Sequence, residues 1–317
     1  MSLRTFIFLL FSSLLKIYFS KNIKPVIGIY GNSQPENDDE GFLNGTYYPI
    51  SYVYWLQSNG AEVMAIHYWY SYDVIDEILH KVNGVLFLGG SRDMHKEGTW
   101  EIKAKYIMEF SLKNKLPFWG TCQGFQLTGV LMSENYTLLR FGFNDDNTLH
   151  PVELTNYTKS SQMYSLFKEK DFNTLQYENS TIYYHHYGFF PEEFYKEKRL
   201  NELFVVTSIS EDSNGLKFID SFEGKNESIK IFTTQFHPEK NPYKRYNYPV
   251  EQNMESLKVS QLLGMKFIDE TRKNKNRFDS VENDEGDRSQ FDFFDTYRGN
   301  SNCKLNSEKC FFYKKEE

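Results

Sequence analysis

The sequence predicts an α/β domain of three layers, with a mostly parallel sheet and helices on both faces. Three observations predict it. Short apolar runs of strand length alternate with helical segments between residues 24 and 121, and that alternation implies the crossover connections of a parallel sheet. Glycine turns close two of these runs, at Gly89–Gly90 and around Cys122. The chain has 317 residues, 40% of them hydrophobic, which suffices for one large core.

In chain order, MSLRTFIFLLFSSLLKIYFSKN opens with Arg4 and an apolar run from Phe6 to Leu15. That run has the length of a signal-peptide core and falls short of a membrane span. Residues 1–20 are therefore expected to be a signal peptide, with a membrane anchor or a buried helix as the other readings. KPVIGIYG (24–31) reads as a buried strand ending in a glycine turn. YPISYVYWLQSNG (48–60) reads as a helix closed by Gly60. AEVMAIHY (61–68) is a strand, YDVIDEILHKV (72–82) a helix and GVLFLGGS (84–91) a strand ending in two glycines. A helix over 99–115 leads to LPFWGT and the Cys122 turn. Ligands of such sheets bind beyond the carboxyl ends of the strands, so the two glycine turns can share one cleft.

After residue 140 strand-like segments with short turns take over: LHPVELT, STIYYHHY, ELFVVTSIS, LKFIDSFEG and IKIFTTQFHPE. The segment 253–273 is expected to be a last amphipathic helix presenting Met254, Leu257, Met265 and Ile268 on its apolar face. No repeat or linker divides residues 21–272, which read as one domain. Residues 273–317 read as a charged, partly disordered extension, with FDFFDTYRG docking back.

Composition excludes several classes. A net charge of −7 offers no broad basic field for nucleic acid. Three cysteines give no tandem Cys/His pattern for zinc. The 28 phenylalanines and 23 tyrosines supply core and pocket surface without naming a function. Five N-x-[ST] sequons, at Asn44, Asn135, Asn156, Asn179 and Asn226, join the signal-like start in pointing to the secretory route. There Cys303 and Cys310 can form a disulfide, which leaves Cys122 unpaired.

FWGTCQGFQ (118–126) sets Cys122 between Gly120 and Gly124 at a strand-to-helix turn, the form of a nucleophile elbow. A structural cysteine in a glycine-rich turn is the plainer reading. TTQFHPEKNP (233–242) follows a strand and places His237 and Glu239 two residues apart, on one face of an extended chain. A histidine past a strand end is by itself an ordinary surface or core residue. Together, however, Cys122, His237 and Glu239 supply a nucleophile, a proton carrier and an orienting carboxylate. Lys240, Lys244 and Arg245 follow, either attracting an acidic substrate or forming a solvated basic patch.

GGSRDM, GTCQGF and QFHPEKNPY, in this order, resemble the gamma-glutamyl hydrolase family, which is related to class I glutamine amidotransferases and has a flavodoxin-like fold. The resemblance spans about residues 24–270. It implies a thiol hydrolase that cleaves γ-glutamyl bonds of folyl- or pteroyl-poly-γ-glutamates, with Cys122 as nucleophile, His237 as proton carrier and Glu239 as orienter. Backbone N–H groups of Gly90 and Gln123 are expected to stabilise the oxyanion. Tyr52 in ISYVYW and His185 in YYHHYGF match residues of the family's substrate cleft. The Tyr52 hydroxyl is expected to hold an α-carboxylate. His185 is expected to pair with a carboxylate when protonated, or else to be a satisfied core histidine. The family's G-x-C-x-G-F-E ends here in Gln126, a residue that glutaminase domains also show. A secreted glutaminase or amidase of the same fold, or an inactive secreted binding protein, is the alternative. The resemblance implies no cofactor and no metal, no nucleic-acid partner, and no membrane contact of the mature form. It admits a homodimer and implies a secreted, lysosomal or vacuolar location.

Overall fold

The computed structural model describes residues 24–33, 45–92, 94, 98–243, 252–278, 290–294, 303–305 and 308–315. The expected signal peptide, the Asn44 sequon, Lys244 and Arg245 lie outside the described residues.

The elements run β1 (Val26–Tyr30), β2 (Asn32–Ser33), β3 (Gly45–Pro49), α1 (Ile50–Ser58), β4 (Glu62–Ile66), α2 (Tyr72–Lys81), β5 (Gly84–Phe87), α3 (Thr99–Asn114), β6 (Phe118–Thr121) and α4 (Gln123–Ser133). They continue with β7 (Arg140–His150), β8 (Glu153–Leu154), α5 (Glu169–Tyr177), β9 (Thr181–Gly188), α6 (Pro191–Phe194), α7 (Lys198–Leu203), β10 (Phe204–Glu211), β11 (Lys217–Gly224), β12 (Ile231–Thr234), α8 (Met254–Thr271), β13 (Cys303–Leu305) and β14 (Glu308–Lys314).

The main sheet has the order β4-β1-β5-β6-β12-β11-β10-β8. From β4 to β12 neighbouring strands are parallel, and from β12 to β8 antiparallel. The pleat sends alternate residues to opposite faces. Val26 and Tyr30 of β1, with Val85 and Phe87 of β5, join a core with residues of α2, α3 and α4. Ile27, Ile29 and Leu86 join a second core with residues of α1, α5 and α8. Both faces of the sheet are thus covered, as the unbroken apolar runs required. β7 and β9 leave the main sheet and form a two-stranded ribbon of their own.

Helix α8 corrects one expectation. Met254 and Met265 are exposed, although Ile268 is buried; the buried side carries Ser256, Val259, Ser260, Leu263 and Phe267. Small residues decide this. Helix α8 approaches α1 so closely that a Cβ on Gly264 would stand 3.1 Å from the Trp55 ring, and the Trp55 indole N–H donates to the Ser260 carbonyl at 3.1 Å. The bulkier methionines face outward.

Part of the C-terminal extension is built into the domain. The Ala65 N–H donates to the Asp292 carbonyl at 2.8 Å, and the Phe294 N–H to Val63 at 2.9 Å, so the FDFF segment lines the edge of β4. β14 pairs antiparallel with β3, from Cys310 opposite Pro49 to Lys314 opposite Gly45. Cys310 is disulfide-bonded, and Cys303 stands opposite it in the hairpin register. Among the described residues no helix is long and apolar enough to cross a membrane.

Candidate active site

The site is built where β5, β6 and β12 end. Cys122 occupies the turn between β6 and α4 with φ 51° and ψ −106°. That left-handed backbone is unusual for a residue with a Cβ and marks a strained elbow. Its N–H donates to the Thr234 carbonyl at the end of β12 (2.8 Å), which fixes the elbow beside the segment carrying His237. Helix α4 begins at the next residue, which sets Cys122 at the positive end of its dipole. Gly124 is required by close approach, since a Cβ there would lie 2.4 Å from the Phe87 carbonyl oxygen.

His237 donates from Nδ1 to Glu239 Oε1 at 2.8 Å. Its Nε2 has no hydrogen-bond partner among the described residues and is left for the thiol. Gly89 marks where the groups meet. A Cβ built there would stand 2.7 Å from His237 Cε1, 2.7 Å from the Tyr52 hydroxyl and 3.2 Å from Cys122 Cβ. The Cys122 sulfur itself lies 3.5 Å from the Tyr184 carbonyl oxygen. The turn carrying Cys122 and the segment carrying His237 and Glu239, more than a hundred residues apart in the sequence, therefore lie side by side.

Charge completes the arrangement. Burial pushes the His237 imidazole down, but the Glu239 carboxylate and the Cys122 sulfur outweigh it and raise the ring to about 9. Burial also opposes ionisation of Glu239, yet the His237 and Lys240 charges hold its carboxyl below the ordinary range. The signs for stability follow from these directions. The His237 contribution is complete below the ring's ordinary 6.5 and is lost as pH rises through about 9. The Glu239 contribution is present above its ordinary 4.5 and is lost as pH falls through its lowered value. Ring-proton NMR is expected to show His237 as an imidazolium from pH 6 to 8. In Glu239→Gln its midpoint should fall by about one to three units, because the opposite charge is gone; an unchanged midpoint would remove the orienting role.

One expected role changes. Tyr52 is buried, and its hydroxyl lies beside His237: it accepts the Gly89 N–H at 2.8 Å and stands 3.3 Å from His237 Nδ1. Burial, then the Glu239 and Cys122 charges, push this phenol well above its ordinary value. The hydroxyl expected to hold a substrate carboxylate instead braces Gly89 and His237. His185 does line the cleft, but its Nδ1–H donates to the Tyr187 carbonyl at 2.9 Å and burial pushes the ring down.

The cleft beside Cys122 has a volume of about 420 Å³. Gly90, Gln123 and Gln126 line one side, and Phe141, Tyr184 and Tyr187 of the β7–β9 ribbon line the other. Gln123 donates from Nε2 to the Arg92 carbonyl at 2.6 Å. Gln126 donates from Nε2 to the Tyr187 carbonyl (2.8 Å) and to Gln235 Oε1 (3.1 Å). A carboxylate at position 126 would have no proton for either bond.

Lys240 was not expected at the site. It is buried, donates to Ser51 Oγ at 3.0 Å, lies 3.4 Å from Glu239 Oε1 and sits over the Tyr52 ring at 5.2 Å. Its adjacency to Glu239 was the only signal in the sequence.

The chain matches the family described as glutamine amidotransferase class-I over residues 47–256. It is 29% identical to gamma-glutamyl hydrolase B of Dictyostelium discoideum, over 87% of this chain and 80% of that protein. It is 28% identical to the gamma-glutamyl hydrolase of Homo sapiens, over 87% of this chain and 86% of the human protein. Among solved structures, the glutaminase domain of a Trypanosoma brucei CTPS with bound acivicin aligns with a TM-score of 0.51 at 14% identity, covering 81% of this chain and 96% of that one. A glutamine amido transferase from Methylobacillus flagellatus aligns at 0.50 and 11% identity, covering 82% and 99%. These two likenesses concern the fold. With its elbow cysteine, its HPE histidine and this sheet, the chain belongs to the class-I glutamine amidotransferase family and is similar, within it, to the gamma-glutamyl hydrolases.

Proposed function

We propose that the protein is a thiol hydrolase of γ-glutamyl bonds acting on folyl- or pteroyl-poly-γ-glutamates. The observation that carries this reading is the meeting of Cys122, His237 and Tyr52 around Gly89, with His237 held by Glu239. The Cys122 thiolate attacks the γ-carbonyl carbon. The N–H groups of Gly90 and Gln123, both of them residues of the cleft wall, receive the oxyanion. His237, charged at rest, gives its proton to the departing amine as the C–N bond breaks. The ring left neutral then takes a proton from water, which attacks the thioester and releases Cys122. Glu239 orients and charges His237; Lys240 and Tyr52 hold Glu239 and His237 in place. His185 and the ribbon contact the substrate.

Purified protein offered folyl-pentaglutamate and, separately, glutamine should release shorter folyl-glutamates from the first and little ammonia from the second. Rapid ammonia release with intact folyl-pentaglutamate would instead assign a glutaminase.

The secretory route belongs to the same proposal. Asn156, Asn179 and Asn226 are exposed, and a disulfide at Cys310 suits an oxidising compartment. Protein from its native source is expected to begin near residue 21 and to migrate faster after glycosidase treatment. An unprocessed, unglycosylated chain starting at Met1 would contradict this.

A further inference from the structure

One carboxylate behind the cleft wall serves two imidazoles. Asp145 is buried in β7 directly opposite His185 of β9 in the ribbon register. Its Oδ2 accepts the Nε2–H of His150 at 2.8 Å and stands 3.5 Å from Nε2 of His185. Its Oδ1 accepts the Thr148 hydroxyl at 2.9 Å. The Nδ1–H of His185 is already engaged with the Tyr187 carbonyl. A neutral imidazole carries one N–H, so the neutral ring turns the bare lone pair of Nε2 toward a carboxylate. Either His185 takes up a proton there, or His150 satisfies the shared oxygen.

We propose that Asp145 is a positioning residue for His185, and that His150 competes with His185 for the same carboxylate oxygen, so that the charge of the cleft wall beside Cys122 is set from outside the cleft. This rests on the proposed role of His185 as a substrate contact.

His150 is suited to the outer role. Its side chain is 16% exposed, against 2% for His185, and its ring stacks on Tyr183 at 3.9 Å and 9°. The other polar neighbours have partners of their own. Tyr183 of β9 donates to Asp220 Oδ1 of β11 at 2.8 Å, and Ser208 of β10 donates to Asp220 Oδ2 at 2.6 Å. His186, next along β9, bonds through Nδ1 to the Phe143 carbonyl at 3.0 Å. From β11 the Phe218 ring meets His185 edge-on, with centroids 4.7 Å apart, and Cys122 and Gln126 line the same cleft. The directions agree with this geometry. Burial lowers the His185 ring, Asp145 raises it and His150 lowers it.

The test uses the full chain with labelled histidine rings. His150→Gln keeps an N–H donor and removes the competing imidazole, so the NMR midpoint of His185 should rise by about one unit. Asp145→Asn should lower it by about one to three units. KM for a γ-glutamyl substrate, measured between pH 5 and 7, should shift by up to about tenfold in each variant, in opposite directions, with kcat changed much less. An unchanged His185 midpoint in His150→Gln overturns the proposal, and that partly exposed position decides the matter even if Asp145→Asn does not fold. A shifted midpoint with unmoved KM leaves the shared carboxylate standing and removes His185 as a substrate contact. Absence of γ-glutamyl turnover removes the proposed activity without touching the NMR result.

Discussion

Cys122→Ala is expected to reduce turnover by roughly 10⁴-fold or more while leaving the fold in place. The substitution removes one sulfur from a buried turn whose backbone is fixed by its bond to Thr234 and by the packing of α4. Alanine keeps the Cβ and therefore accepts the same φ and ψ. His237→Ala should lose activity to a similar extent, and the double variant should be no worse than either, because a nucleophile and its proton carrier act as one unit. Steady-state rates with a γ-glutamyl substrate, circular dichroism and melting temperature measure the three outcomes. Cys122→Ala retaining a tenth of wild-type activity would remove the thiol mechanism.

Gly89→Ala is expected to lower kcat/KM by about a hundredfold at a stability cost of about 1–3 kcal/mol. The added methyl would stand 2.7 Å from both His237 Cε1 and the Tyr52 hydroxyl, and 3.2 Å from Cys122 Cβ. All three are buried, so relief must come from moving the groups that react. Alkylation of Cys122 by a small neutral reagent should slow as well, since His237 no longer faces the sulfur as before. Activity within twofold of wild type would mean that the triad has more room than its packing implies.

The parallel half of the fold was legible because strand-length apolar runs ending in glycine turns have few other solutions. The proximity of Cys122 to His237 and Glu239 was legible for a related reason: an elbow cysteine and an HPE histidine follow strands that had to end on the same side of one sheet. Other features depend on packing that no local pattern encodes. Lys240 looks like the first residue of a solvated basic run, and only the folded chain turns it beneath Tyr52 and Glu239. Tyr52 was assigned to the cleft, yet the register of α1 points its hydroxyl at the Gly89 amide. On α8 the methionines suggested a buried stripe, whereas Ser256, Ser260 and Gly264 allow the closer approach and take the inner face. The C-terminal strand lay inside a charged tail whose composition masks CFFY, four residues able to pair with β3.

That pairing has a consequence for biosynthesis. β14 is the last described strand, and its register with β3 ends at Pro49, directly before the helix that carries Tyr52. A strand near the start of the domain is thus completed by one far downstream in the chain. A nascent chain can assemble the parallel strands as they emerge, but this edge of β3 stays open until β14 leaves the ribosome. An open edge of this kind invites pairing with other chains. Truncation before β14 therefore endangers solubility as well as the packing of β3 and of the helix that follows it.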